Sequence, residues 1–91
     1  MKRIIYPGTF DPIHYGHIDI ARRASRLFDE VYICVSDNQH KNPLFSHKER
    51  VEMIEECTSD LDNVSAYSNP NNLVVNFADS KDAVAIIRGL R

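Results

Sequence analysis

The chain has 91 residues, of which 43% are hydrophobic and 26% charged, and carries a net charge of −2. That length fits one domain and excludes a second core, and the composition is that of a globular fold, with no mark of collagen, a coiled coil or disorder. The slightly acidic balance argues against a protein that coats nucleic acid, a task that needs a basic excess to displace counterions. No apolar run approaches a membrane span, and the N-terminus enters a strand-like segment without a signal-peptide pattern, which points to the cytoplasm. Cys34 and Cys57 sit inside apolar patterns without metal-like spacing and read as buried thiols.

Arg3 to Tyr6 is a short β-branched run that stops at Pro7-Gly8, a strand ending in a turn. After a loop from Thr9 to Tyr15, Ile20, Ala21, Ala24, Leu27 and Phe28 recur at helical spacing, while Arg22, Arg23 and Arg26 form a solvated face. This predicts a helix of about three turns. Val31 to Val35 is an uninterrupted apolar strand of the kind buried on both faces of a parallel sheet. Ser46-His47-Lys48-Glu49 fits a capping box, and Val51, Ile54 and Cys57 continue the apolar face of a second helix, on which Met53 is a packing residue. Val64 to Tyr67 is a weaker strand, Asn72 to Ala78 a short helix, and Ala83 to Ile87 a last apolar strand ending at Arg88-Gly89. The resulting βαβαβαβ order predicts an α/β fold, a doubly wound parallel sheet with right-handed crossovers and ligands at the carboxyl ends of its strands. Four strands in the order 3-2-1-4 are expected.

The segments that follow strands are therefore the informative ones. Gly8-Thr9-Phe10-Asp11-Pro12 leads to His14-Tyr15-Gly16-His17 and into a helix. Gly8 would let the chain turn and a ligand approach, and Gly16 would do the same at a helix start, where free amides and the helix dipole favour phosphate. His17 can donate to phosphoryl oxygens as charge shifts during transfer. Neither GxxxxGK[ST] nor GxGxxG is present, and Tyr67 stands where a receiver domain would want an aspartate. Arg88 reaches the ligand edge by topology alone, and its planar fork suits phosphate. Asp11, alone before a proline, more often hydrogen-bonds its own loop than holds a metal. His40 and His47 are expected to face solvent.

His14-Tyr15-Gly16-His17 placed after Gly8-Thr9-Phe10-Asp11-Pro12 matches the HxGH signature of the nucleotidyltransferase superfamily. Together with Tyr6-Pro7, with Lys41-Asn42-Pro43-Leu44-Phe45 and with Ile87-Arg88-Gly89-Leu90-Arg91, the chain resembles the N-terminal part of the phosphopantetheine adenylyltransferases. The resemblance implies a Rossmann-like nucleotidyltransferase fold, truncated to about four strands, in a single domain over residues 1–91. It implies adenylyl transfer from ATP to 4'-phosphopantetheine, giving dephospho-coenzyme A and pyrophosphate, with Mg²⁺ bound mainly through the ATP phosphates. In that family His17 and Lys41 carry the catalysis. Thr9, Lys41, Leu73, Val74 and Arg88 bind the acceptor, with Leu73 and Val74 lining its pantetheine arm. Gly8, Thr9, Phe10, His14, Gly16, His17 and Arg91 lie on ATP. Many relatives have Thr at position 14, so His14 either joins the ATP phosphates or satisfies the loop. Full-length relatives form hexamers, which implies a homo-oligomer, and they continue past Arg91 to an Ile-Ser-Ser segment that also binds ATP, so this chain is expected to be inactive alone. Nicotinate mononucleotide adenylyltransferase and cytidylyltransferase share HxGH, and a noncatalytic nucleotide-binding fragment is the alternative of a different class.

Overall fold

The structure, a computed structural model, describes residues 2–36, 44–68 and 85–87. Within these the elements follow the predicted alternation: β1 (Arg3–Gly8), α1 (Tyr15–Leu27), β2 (Glu30–Val35), α2 (His47–Cys57), β3 (Val64–Ser68) and β4 (Ala85–Ile86). The four strands form one parallel sheet in the order β3-β2-β1-β4. The expected order is therefore found. The short helix over Asn72 to Ala78, and Ala83 and Val84 of the last strand, lie outside the described residues.

Side-chain alternation divides the core between the two faces of the sheet. Ile4 and Tyr6 of β1 and Val31, Ile33 and Val35 of β2 meet Phe10, Ile13, Ala21, Ala24 and Ile54 on one face, so α1 and α2 cover the same side. Ile5, Tyr32 and Cys34 face the other way with Tyr67 and Ile86 packed against them. Every residue from Val31 to Val35 is buried, as the unbroken apolar run predicts. Several local connections fix the frame. Asn63 donates through Nδ2 to the Ser25 and Phe28 carbonyls at 2.8 and 3.1 Å, closing the end of α1 against the entrance of β3. At the same amino end of the sheet, Arg3 Nε donates to Glu30 Oε1 at 2.6 Å and the Tyr32 hydroxyl to the same oxygen at 2.8 Å, which holds the Glu30 carboxyl below its usual range.

Three sequence expectations change here. Leu27 closes the apolar pattern of α1, yet it is 74% exposed, because α1 ends there and Phe28, the C-cap, turns inward instead. Cys57 is exposed at the end of α2, and only Cys34 is a buried thiol. β1 runs through Pro7 to Gly8, which pair with Cys34 and Val35, so the turn lies beyond Gly8.

Candidate functional site

The carboxyl ends of β1, β2 and β3 place Gly8, Val35 and Ser68 along one edge of the sheet, and the β1–α1 connection, residues 9–14, rises from that edge. Its shape is set by Phe10. This residue is only 2% exposed and has φ of 47°, a left-handed conformation in which a side chain other than glycine is strained by about 1–2 kcal/mol. The conformation turns the Phe10 ring back into the core. There it meets Tyr6 edge-on at 5.2 Å and the His17 ring at 4.7 Å. A Cβ on Gly8 would come within 3.0 Å of that ring, so Gly8 is required for the room it leaves under Phe10. Neither Gly8 nor Gly16, the glycines among the described residues, has positive φ, so the turn expected at Gly8 is made beyond it, with Phe10 as the left-handed residue.

The start of α1 is closed by two histidines where serine or aspartate is usual. The Gly16 amide donates to His14 Nδ1 at 3.1 Å, and the His14 amide donates to His17 Nδ1 at 3.1 Å, a reciprocal capping box. The two rings stack with centroids 3.7 Å apart. A ring nitrogen that accepts carries no proton, so both rings keep theirs on Nε2, the atom directed away from the cap. Burial first, and the electrostatic interaction with the neighbouring His14 second, lower the His17 pKa to about 4. His17 is thus a neutral imidazole with an Nε2–H to donate at ordinary pH. Of the helix-start amides expected to favour phosphate, that of Gly16 is bonded to His14. Gly16 instead serves His14: a Cβ there would stand 2.9 Å from the His14 ring.

The connection is also held from α2. Asp11 accepts the Leu44 amide at Oδ2 and the Phe45 amide at Oδ1, at 2.5 and 2.9 Å, so its role is structural but reaches across to another segment and is not confined to its own loop. Arg50, fully buried on α2, donates from Nη1 to the Thr9 carbonyl at 3.1 Å and from Nε to the Ser46 carbonyl at 3.3 Å. Ser46 caps α2 as predicted, exchanging bonds with Glu49. His47 does not simply face solvent, for it is half-buried and its Nδ1 lies 2.7 Å from the Ser68 hydroxyl at the end of β3.

Of the residues singled out from the sequence, the structure brings Gly8, Thr9, Phe10, His14, Gly16 and His17 into this one connection. Lys41, Leu73, Val74, Arg88 and Arg91 lie outside the described residues, as does His40. By chain position Lys41 precedes the Leu44 and Phe45 amides that Asp11 holds, and Arg88 follows Ile87, whose amide donates to the Ile5 carbonyl at 2.7 Å. Arg50 was missed by sequence reasoning. The available signal was its place four residues before Ile54, on the stripe where the helical period calls for an apolar side chain.

A four-stranded parallel sheet in this order, with a histidine-capped helix after its first strand, defines a nucleotidyltransferase-like α/β fold. The crystal structure of the lipopolysaccharide core biosynthesis protein from Thermoplasma volcanium GSS1 shares it with a TM-score of 0.76 and 26% identity, over 94% of this chain and 72% of that one. The chain belongs to the cytidylyltransferase-like family, whose model matches residues 5–91. Among curated relatives it is 52% identical to the phosphopantetheine adenylyltransferase of Chloroflexus aggregans (strain MD-66 / DSM 9485) and 53% identical to that of Clostridium novyi (strain NT). Each match covers all 91 residues of this chain and 56% of the relative, so the chain spans just over half the length of the curated relatives it matches.

Proposed function

We propose that the chain carries the nucleotide-phosphate half of a phosphopantetheine adenylyltransferase site. An oxygen of the acceptor phosphate attacks the α-phosphorus of ATP, a new phosphoanhydride forms, and the α–β bond breaks to release pyrophosphate. No side-chain nucleophile takes part, so positioning and charge stabilisation carry the rate. The observation that carries this reading is the His17 ring. Its Nδ1 accepts the His14 amide, His14 stacks on it and Phe10 packs against it in a T-shaped pair, which fixes the ring at the start of α1 with its proton on Nε2. Such a donor stabilises negative charge as it develops on the transferred phosphoryl group, and it does so without reorganising. His14 offers a second Nε2–H beside it. Thr9 lies at the same edge, within the β1–α1 connection.

Lys41 and Arg88 are proposed to hold the acceptor phosphate, Leu73 and Val74 its pantetheine arm, and Arg91 the ATP. Their family counterparts suit these tasks: cationic groups for phosphate, apolar groups for a flexible amide chain. Mg²⁺ would supply further neutralisation of the triphosphate. Among the described residues no three His, Cys, Asp or Glu side chains converge to hold a cation, and both Asp11 oxygens accept backbone amides. A metal carried on the nucleotide phosphates and water would need no carboxylate cluster of its own.

Titration with ATP, CTP and 4'-phosphopantetheine, followed by an assay for pyrophosphate, tests the reading in the chain and in a form spanning the full length of its relatives. The chain alone is expected to bind ATP and the longer form to turn over. Preference for CTP would move the assignment to a cytidylyltransferase. Nucleotide binding without pyrophosphate release in either form would favour a noncatalytic nucleotide-binding unit.

A further inference from the structure

Arg50 is the largest fully buried side chain among the described residues, and it lies directly beneath the β1–α1 connection. A buried guanidinium is strongly destabilising unless its donors are matched, so its placement under this connection needs a reason. Its partner at Nη1 is informative. The Thr9 carbonyl belongs to the same peptide plane as the Phe10 amide, and that plane is the one about which Phe10 takes its φ of 47°. Fixing the carbonyl fixes the plane, and the plane sends the Phe10 ring inward over Gly8 and against the His17 ring in a T-shaped contact. The second bond, from Nε to the Ser46 carbonyl, ties the same guanidinium to the cap of α2. Asp11 closes the arrangement from the opposite direction by accepting the Leu44 and Phe45 amides.

We infer that Arg50 is a positioning residue for His17: its guanidinium holds the Thr9–Phe10 peptide plane in the strained orientation that seats the Phe10 ring against the imidazole. It acts through Thr9 and Phe10 and needs no contact with substrate. The orientation of His17 follows from geometry alone, while its consequence for nucleotide binding rests on the adenylyl-transfer reading. Lysine at this position keeps the charge but not the planar fork that reaches both carbonyls.

The test compares Arg50→Lys with Ile54→Val, a neighbouring core change on α2 that removes one methylene and alters no hydrogen bond to the Thr9 or Ser46 carbonyl. The His17 ring is followed by NMR titration in each, and ATP affinity is measured alongside. Arg50→Lys should move the His17 pKa from about 4 toward its ordinary 6.5 as the Phe10 ring releases the imidazole. ATP affinity should fall about tenfold or more, the loss of at least one well-placed hydrogen bond. Ile54→Val should leave both unchanged. A His17 titration as unaffected by Arg50→Lys as by Ile54→Val overturns the inference. If the wild-type chain binds no ATP, the functional reading falls, while the titration still decides the role of Arg50. Should Arg50→Lys not fold, the wild-type chain decides. Protonating His17 near pH 4 should shift the Arg50 guanidinium and Phe10 amide resonances with it, and a His17 transition felt at neither overturns the coupling.

Discussion

The His14 amide donates to Nδ1 of His17 at 3.1 Å while the two imidazoles stack at 3.7 Å, so the cap of α1 and the proposed hydrogen-bond donor to the phosphoryl oxygens are one object. Protonating His17 at Nδ1 would remove the acceptor and turn the cap against itself.

The sign of the pH dependence follows. The His17 pKa is about 4 in the folded chain and near 6.5 when unfolded, so the unfolded chain binds more protons between those values. Stability from this group is complete above pH 6.5 and is lost as pH falls toward 4. Melting curves from pH 7 to 4 should therefore show a steeper fall for the wild type than for His17→Asn. Parallel falls would place the loss elsewhere.

Gly16→Ala sets two effects of similar size against each other. Alanine in a helix is favoured over glycine by about 1 kcal/mol. Its Cβ would stand 2.9 Å from the His14 ring, and displacing that ring loses a cap worth about 1 kcal/mol. Denaturant unfolding should show little net change in stability, with the Gly16 amide newly exposed to hydrogen exchange. A gain near 1 kcal/mol with the amide still protected would mean that His14 need not move.

Gly8→Ala should be unambiguously destabilising. The added carbon meets the Phe10 ring at 3.0 Å, and Phe10 is enclosed by the core, so overpacking of about 1–3 kcal/mol is expected from thermal unfolding. Stability equal to the wild type would show that the Phe10 ring has room to withdraw.

Asp11→Ala leaves the Leu44 and Phe45 amides without their carboxylate, a loss of about 1.5–3 kcal/mol for bonds to a charged acceptor. Exchange of those two amides should accelerate more than that of α1. In the form spanning the full length of the relatives, Lys41→Ala and Arg88→Ala should weaken 4'-phosphopantetheine far more than its dephosphorylated analogue. Equal losses for the two acceptors would leave both residues with loop support only.

Much of this arrangement was legible in the sequence, because strands and helices announce themselves by period. The unbroken run of Val31 to Val35 and the box at Ser46 and Glu49 required nothing beyond local pattern. The HxGH segment marked its own place after β1. What local pattern could not supply was tertiary. Asp11 finds partners 33 and 34 residues away, and Arg50 finds Thr9 41 residues away, so neither partnership leaves a trace in spacing. Gly8 and Gly16 were recognisable as necessary, but the rings they accommodate appear only once Phe10 and His14 have turned toward them.

The most direct test of the central claim is pyrophosphate release from ATP, Mg²⁺ and 4'-phosphopantetheine, compared between wild type and His17→Ala in the form spanning the full length of the relatives. The account predicts release by the wild type and a fall on the order of 10²-fold in His17→Ala, measured at a temperature where the variant, weakened by about 1 kcal/mol through the lost cap, is still folded, as expected for removing a preoriented donor. Unchanged release by His17→Ala, or none from the wild type, would contradict it.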